Sequence, residues 1–261
     1  MAIITLTSDL GTKDSYLASV KGSIYSQLEN AIIVDVTNNI DPFNIQQAAY
    51  VLRNCYKDFP IGTIHIISID NELSIHNEHL AVKADGHYFI GADNGLFSLF
   101  LNEMKAEKIV RLNISQRTNC MTFATKNIFA PAACHLARGG TMEIIGTEVP
   151  DFEVKKTELK AVIEKDTIRG IIIYNDGYGN AITNISKEIF IGVQKDRNFS
   201  ILFGREDEQI TAISEKYNDV APGDKLAIFG ENEQLQIAMN KGTANTLLGL
   251  EMHSIIRIEF R

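Results

Sequence analysis

The stretch IITLTSDLGTKDSY, residues 3–16, decides the fold of this chain. Its first four residues are apolar or β-branched, which predicts a β-strand, and a helical pattern begins at Tyr16. The polar loop between them carries Asp9 and Asp14. Ligands of α/β sheets bind where strands end at their carboxyl edge, and an Asp carboxylate accepts two hydrogen bonds, which suits the paired hydroxyls of a ribose. The alternative is that Asp9 shapes the turn while Asp14 or Ser15 caps the helix.

The composition describes a globular protein of 261 residues, 45% hydrophobic and 22% charged, with room for one large or two ordinary domains. A net charge of −8 argues against a nucleic acid or an anionic membrane as partner, because phosphate contacts need clustered Lys and Arg. No apolar run approaches the roughly 18 residues that suggest a membrane span. Cys55, Cys120 and Cys134 are far apart and odd in number, which predicts reduced, mostly buried thiols in a cytoplasmic protein.

The pattern of strands and helices changes once along the chain. Over residues 1–150, strand-like runs alternate with helical patterns, which predicts an α/β domain of three layers around a mostly parallel sheet. Residues 151–167 are charged and aperiodic, and we interpret them as a linker. Residues 168–261 contain seven short β-branched runs separated by turn signals, which predicts a small antiparallel β-barrel without intervening helices, with a sandwich as the alternative.

Further polar motifs stand where elements end or begin. Asp70 closes the β-branched run Thr63–Ile69, and Asp93–Gly95 forms a turn before a helix. The segment Thr122–Pro131 opens another helix, where free N–H groups meet an anion or a ligand hydroxyl. Asn175–Asn180 is the first turn of the barrel. Each motif alone suits a turn or a helix cap equally well, whereas their ordered combination is much more specific.

That combination resembles the S-adenosyl-L-methionine (SAM) hydroxide adenosyltransferases, which are adenosine-forming SAM hydrolases related to the SAM-dependent fluorinases and chlorinases. The resemblance covers nearly the whole chain, through Thr7–Thr12, Val34–Val36 with Pro42-Phe43, Phe59–His65, Asp93–Gly95, Ile128–Pro131, Gly179–Asn184, Tyr217–Asp219 and Ile237–Asn240. It implies SAM as the substrate, with no cofactor and no metal. It also implies a homotrimer that holds the ligand between the first domain of one subunit and the barrel of its neighbour.

The resemblance assigns roles in the first domain. Asp9 would bind the ribose hydroxyls, with Asp14 supporting the loop. Phe43 takes the position of an aromatic side chain that walls the ribose and the sulfonium, where a cation gains from the ring face.

It assigns the remaining binding roles in the barrel. Asp176 would lie near the methionine amino group. Asn180 and Tyr217 fall on the adenine positions, and the backbone around Asn240 and Lys241 would complete the adenine edge.

The chain departs from the hydrolase pattern at the reaction centre. Of the family's Asp-Arg-His triad, Asp70 matches the Asp, whereas Asn77 falls at the Arg and Ala124 at the His. His76 or His79 is a candidate for the missing basic partner, or both are ordinary loop residues.

Thr125 falls where the fluorinase has a halide-binding serine, and its hydroxyl suits water or an anion. Because the Asp70 carboxylate would repel a halide, the sequence favours water. We therefore expect hydrolysis of SAM to adenosine and L-methionine by water attack at ribose C5′, with Asp70, Thr125 and His76 at the reaction centre. The alternatives are a non-catalytic SAM or adenosine binder, and a SAM-dependent halogenase.

Overall fold

The computed structural model describes residues 2–101, 104–115, 122–154, 160–204 and 209–261. The chain divides into two compact units, residues 1–157 and 158–261. Of the three cysteines, Cys120 lies outside the described residues, Cys134 is buried and Cys55 is half-buried. None of the described helices is both long enough and apolar enough to cross a membrane.

Unit 1, residues 1–157, is built on a mixed β-sheet. Its described strands are β1 (Ile3–Ser8), β2 (Ile32–Thr37), β3 (Ile64–Ser68), β4 (His79–Ala84), β5 (His87–Ala92), β6 (Lys108–Leu112) and β7 (Gly146–Glu148). They lie in the order β2-β1-β3-β5-β4-β6-β7. The first four strands of this order pair in parallel and the others antiparallel. The opening strand therefore lies inside the parallel part of the sheet.

Helices cover both faces of this sheet. They are α1 (Tyr16–Gln27), α2 (Ile45–Arg53), α3 (Leu96–Leu101), α4 (Ala130–Ala137) and α5 (Met142–Ile145), with a 3-10 turn at Tyr56–Asp58 and a π-helical turn at Thr125–Phe129. On one face, Val20 and Ile24 of α1 pack in a cluster that includes Ile4 and Leu6 of β1. Helices α2 and α3 bury residues such as Leu52 on the opposite face. The predicted three-layer α/β domain is confirmed.

Strands β4 and β5 form a hairpin, which makes the sheet mixed. Ala84 pairs with His87 across the turn Asp85-Gly86. Both turn residues have positive φ, +49° and +74°, the backbone that a tight type I′ turn requires. The parallel arrangement predicted from the sequence is therefore limited to β2, β1, β3 and β5.

Unit 2, residues 158–261, is an antiparallel sheet that nearly closes into a barrel. Its described strands are β8 (Val162–Glu164), β9 (Thr167–Asn175), β10 (Ala181–Ser186), β11 (Phe199–Leu202), β12 (Gln209–Ile210), β13 (Lys225–Phe229), β14 (Gln234–Met239) and β15 (Ile255–Phe260). Their order is β12-β11-β15-β9-β10-β14-β13, and β8 pairs with β9. A bridge from Ile213 to Ala227 of β13 links the two ends of this order. The predicted antiparallel barrel is confirmed.

Two α-helices, α6 (Lys187–Gln194) and α7 (Ala244–Leu247), and a 3-10 turn at Tyr217–Asp219 interrupt the described strands of unit 2, so the expectation of strands without helices is wrong. Helix α6 forms because the Ser186 hydroxyl caps it, accepting from the N–H of Ile189 at 3.2 Å, and because Phe190 is buried on its inner face. Strand β8 lies within the segment 151–167 interpreted as a linker; residues 155–159 of that segment are outside the described part.

Candidate functional site

The candidate site of unit 1 lies where β1 and β3 end side by side. Ser8 is the register partner of Ser68, and the N–H of Asp9 donates to the carbonyl of Ser68 at 3.3 Å. Asp9 and Asp70 therefore leave the sheet at the same edge. This is the edge at which α/β domains present their ligand sites.

The Asp9 carboxylate is half-buried and connected to two neighbouring loops. Its Oδ2 accepts a hydrogen bond from the N–H of Phe43 at 3.1 Å. Burial raises the pKa of Asp9; the N–H of Phe43 opposes this shift, and the nearby charge of Asp70 adds to it. Asp9 and Asp70 thus lie close enough to repel each other, which makes the space between them favourable for positive or hydrogen-bond-donating groups.

Phe43 has an unusual backbone for an aromatic residue. Its φ is +65°, a region that residues with a Cβ rarely adopt, and its side chain is 71% exposed. The conformation is fixed on one side by the hydrogen bond to Asp9 and on the other by Asn44, which caps α2 by accepting from the N–H of Gln47 at 3.0 Å. A strained, exposed aromatic residue at a strand-end loop is a candidate for ligand contact.

Three neutral polar side chains meet beside Asp70. The Ser68 Oγ and Thr125 Oγ1 atoms are 2.6 Å apart, and the amide Nδ2 of Asn71 donates to both, at 2.8 and 3.2 Å. Thr125 is 3% exposed and starts the π-helical turn. We call Ser68, Asn71 and Thr125 the hydroxyl–amide cluster. It links the end of β3 to the start of the helical segment on one face of the sheet.

His79 supports the cluster from the first position of β4. Its Nε2 lies 2.9 Å from the carbonyl oxygen of Asn71, and its ring packs edge-on against Phe129 at a centroid distance of 4.9 Å. Burial lowers the pKa of His79, so the ring is neutral at pH 7 and Nε2 is the donor to this carbonyl. His79 therefore positions Asn71.

The other predicted residues of unit 1 lie apart from the cluster. His76 is exposed, and its ring makes no hydrogen bond to a described residue. Asn77 closes the loop, with Nδ2 donating to the carbonyls of Asp70 at 2.9 Å and Glu72 at 3.0 Å. Ala124 is buried in the core. The side chain of Asp14 is exposed, and helix α1 has no side-chain cap.

An open acidic cleft of about 750 Å³ borders Asp70. Its lining includes Glu72, Glu78, Asp93 and Glu153, with His76 among the remaining residues. Such a concentration of carboxylates attracts cations. Among the described residues, no three His, Cys, Asp or Glu side chains are grouped as a metal ion requires.

In unit 2, Asp176 and Asn180 belong to the turn between β9 and β10. Asp176 Oδ1 accepts from the N–H groups of Tyr178 at 2.9 Å and Asn180 at 2.8 Å, and Oδ2 accepts from Asn180 Nδ2 at 2.8 Å. Gly179, with φ +83°, cannot be replaced without strain, because an added Cβ would lie 2.9 Å from backbone of Thr243. The turn is therefore rigid, and the amide of Asn180 is oriented by its Nδ2, which donates to Asp176.

Tyr217, Asn240 and Lys241 lie on neighbouring loops of unit 2. Burial raises the pKa of Tyr217 and the negative charge of Asp176 raises it further, so the structure brings Tyr217 near Asp176. Asn240 Nδ2 donates to the carbonyl of Val220 at 2.7 Å, which fastens the loop that follows Tyr217. Lys241 is exposed, with φ +55°.

The sequence predictions missed Ser68 and Asn71. Ser68 lies within the run that predicts a strand, although a polar residue two positions before Asp70, at the end of an apolar run, is a usable signal. Asn71 follows Asp70 in a polar loop, and its position there does not predict a role. Its cross-links to Ser68 and Thr125 depend on the packing of the π-helical turn against β3, which no local pattern contains.

The arrangement in unit 1 suits a ligand rich in hydroxyls and a water molecule. A carboxylate binds vicinal hydroxyls by accepting two hydrogen bonds. A second carboxylate beside neutral hydroxyl and amide groups orients water and takes its proton. Asp9 and Asp70 are the two carboxylates in this arrangement.

Comparisons with known proteins identify the family of the chain. Residues 4–146 match the family model "SAM hydroxide adenosyltransferase N-terminal domain", and residues 170–257 match that of the C-terminal domain. The chain is 30% identical to an (R)-S-adenosyl-L-methionine hydrolase of Methanocaldococcus jannaschii, over 71% of this chain and 68% of that protein. It is 28% identical to one of Thermus thermophilus, over 99% and 100%.

A solved structure is also similar. An uncharacterized conserved protein from Thermotoga maritima superimposes with a TM-score of 0.88, at 27% identity and with 99% of both chains covered. The family resemblance inferred from the motifs is thus confirmed by independent matches to both parts of the chain. The chain belongs to the SAM hydroxide adenosyltransferase family.

Proposed function

We propose that this protein hydrolyses SAM to adenosine and L-methionine. The observation that carries the proposal is the meeting of Asp9, Asp70 and the hydroxyl–amide cluster at one strand edge. The relatives named (R)-S-adenosyl-L-methionine hydrolase support it. In SAM the sulfonium is already a good leaving group. The protein therefore has to align the substrate, orient one water molecule as the nucleophile and exclude other water from the site.

The roles follow from the chemistry of each group. Asp9 accepts hydrogen bonds from the two ribose hydroxyls, and the exposed ring of Phe43 covers the ribose and the sulfonium. Water attacks C5′ in line with the departing sulfur, and the electron pair of the C5′–S bond stays on the sulfur of methionine. Asp70 accepts the proton that the water loses, while Thr125 holds the water. Asp14 supports the Asp9 loop, and His76 is retained as a proton carrier at the cleft.

We propose further that the ligand is shared within a homotrimer. Unit 2 of the neighbouring subunit would supply Asn180 and Tyr217 to adenine, with the backbone at Asn240 and Lys241 completing its edge. Asp176 would lie near the methionine amino group. The carboxylate of Asp176 already accepts three hydrogen bonds from the turn, and a carboxylate has about four acceptor positions. One of them remains for an ammonium group.

Hydrolysis is favoured over halogenation by charge. A halide beside the Asp70 carboxylate is repelled, whereas a water molecule donates to it.

A non-catalytic binder of SAM or adenosine is the second candidate. It is favoured by Asn77 and Ala124, which offer neither a cation nor a proton acceptor at the two positions that resemble the family's Arg and His.

Incubation with SAM separates these functions. We expect adenosine and methionine in equal amounts, with the same product when chloride or fluoride is added, and a rate lowered by about a hundredfold in Asp70→Asn, which is the size of general-base effects. A 5′-halogenated adenosine would establish a halogenase. Binding of SAM by calorimetry with no product above the rate without protein would establish the binder and overturn the proposal.

A further inference from the structure

Asn71 is fixed in place from both its side chain and its backbone. Its Nδ2 supplies two hydrogens, and the oxygens of Ser68 and Thr125 accept them at 2.8 and 3.2 Å. Its carbonyl accepts from His79 at 2.9 Å. A residue held by two side-chain hydrogen bonds and one backbone hydrogen bond has little freedom to turn. The direction of its remaining polar atom is therefore set by the fold.

That remaining atom is Oδ1, and it has no partner. It is buried and accepts no hydrogen bond from any described residue. A buried carbonyl oxygen without a donor is unfavourable, and folded proteins nearly always satisfy such atoms with protein, water or ligand. An amide whose nitrogen donates to two neighbouring oxygens while its oxygen accepts no hydrogen bond is held in place to receive a donor. Water reaches the buried Oδ1 once the loop after β3 shifts to uncover it.

We propose that Asn71 is a further catalytic residue, whose Oδ1 accepts a hydrogen bond from the water that attacks SAM. This inference rests on the proposed function. Water has two O–H groups and two lone pairs. One O–H donates to the Asp70 carboxylate and the other to Asn71 Oδ1, which leaves one lone pair for C5′ and one for a hydroxyl of the Ser68–Thr125 pair.

The step is balanced in atoms and charge. The O–C5′ bond forms as the C5′–S bond breaks, the sulfur keeps the electron pair and becomes a neutral thioether, and the proton on the Asp70 side passes to that carboxylate and then to solvent. The second O–H, which donates to Asn71, becomes the 5′-hydroxyl of adenosine.

Asn71 also selects the nucleophile. Its Oδ1 is a pure acceptor, so it attracts a nucleophile that carries O–H groups and repels one that carries only negative charge. Together with Asp70, it makes the site more favourable for water than for a halide. Ser68 and Thr125 alone do not discriminate in this way, because a hydroxyl donates to an anion as readily as it accepts from water.

Two substitutions of Asn71 separate its oxygen from its nitrogen. Asn71→Ala removes both, whereas Asn71→Asp keeps an acceptor oxygen and removes the donors to Ser68 and Thr125. Thr7→Val is the control, because Thr7 Oγ1 is also buried without a described partner. Ile4 and Leu6 of β1 face the helical side of the sheet that carries Thr125, and side chains alternate along a strand, so Thr7 lies on the opposite face from the hydroxyl–amide cluster. Each purified variant is assayed for kcat and KM with SAM, and for adenosine binding.

We expect Asn71→Ala to lower kcat about tenfold, with KM and adenosine affinity within about twofold of wild type. Asn71→Asp should recover most of the lost kcat, and Thr7→Val should match wild type. Two results would overturn the role of Oδ1 and leave the proposed function standing. The first is a kcat of Asn71→Ala equal to that of the wild type, and the second is a kcat of Asn71→Asp as low as that of Asn71→Ala. No turnover by the wild type overturns both.

Discussion

The backbone N–H of Phe43 donates to Asp9 Oδ2 at 3.1 Å, and this bond joins the loops that follow β1 and β2. Phe43 keeps a φ of +65° in this arrangement, which costs a residue with a Cβ about 1 kcal/mol or more. The ring is exposed, so the fold gains little from it. The backbone of Phe43 therefore serves the fold through its hydrogen bond to Asp9, whereas its ring is free to contact a ligand.

Phe43→Gly should leave the free energy of unfolding unchanged or raise it by up to about 1 kcal/mol, because glycine adopts positive φ without strain. The same change should weaken SAM binding, since the ring is lost. Urea unfolding and calorimetry measure the two effects. A large loss of stability with unchanged affinity would contradict this account of Phe43.

Asp9→Asn should change stability in a pH-dependent way. The pKa of Asp9 is raised in the folded protein above its ordinary value of 3.8, so the wild type loses stability from this group as the pH rises through that value toward the folded pKa. Asn has no such loss. The free energy of unfolding of the variant minus that of wild type should therefore increase from about pH 3 to pH 7, while SAM affinity falls. Denaturant titrations at several pH values test the sign, and a difference that decreases with pH would refute it.

Thr125→Val should lower both stability and turnover. It removes the hydroxyl 2.6 Å from Ser68 Oγ and leaves buried polar groups without a partner, at a cost of about 1–3 kcal/mol in unfolding free energy. Thr125→Ser keeps the hydroxyl and is the matched control, expected within about twofold of wild-type kcat. If valine and serine gave the same turnover, the hydroxyl would have no part in the reaction.

His65 should make the protein sensitive to acid. It is fully buried, with Nδ1 2.8 Å from Thr5 Oγ1 and Nε2 3.3 Å from Nδ1 of His87. Burial lowers its pKa to about 3, and His87 adds to the shift. The unfolded chain takes up a proton below about pH 6.5 and the folded one does not, so this group alone lowers the free energy of unfolding by about 1.4 kcal/mol per pH unit.

The difference between two variants isolates this effect. His65→Gln should flatten the fall of stability between pH 6 and pH 4, and His76→Gln, at an exposed position, should not. The buried His87 keeps its own contribution, since burial lowers its pKa while the nearby Asp85 partly opposes the shift. Equal slopes for wild type and His65→Gln would show that the buried imidazole is not the acid-sensitive group.

Much of the fold could be predicted from local patterns. The opening strand, its polar loop and the helix from Tyr16 are in the structure as the sequence indicated. The β4–β5 hairpin was missed although Asp85-Gly86 is a strong turn signal, because the flanking apolar runs also suit parallel strands. Helix α6 was missed because its length is short and its apolar residues are β-branched in part.

The site was less accessible to sequence reasoning. Asp9 and Asp70 could be predicted from strand ends, because parallel strands bring their carboxyl ends together. The contacts of Asn71, and the difference between the exposed His76 and the buried His79, depend on how the loop after β3 folds back on the sheet. That folding is set by hydrogen bonds between residues distant in sequence, such as Asn94 Nδ2 donating to the carbonyl of Ile69 at 3.0 Å.

The origin of the new oxygen tests the central claim most directly. The protein is incubated with SAM in water enriched in oxygen-18, and the adenosine is isolated and weighed by mass spectrometry. Attack of water at C5′ predicts adenosine carrying one heavy oxygen in its 5′-hydroxyl group, with an equal amount of methionine free of label. Adenosine without heavy oxygen, or no adenosine beyond that formed without protein, would contradict hydrolysis at C5′.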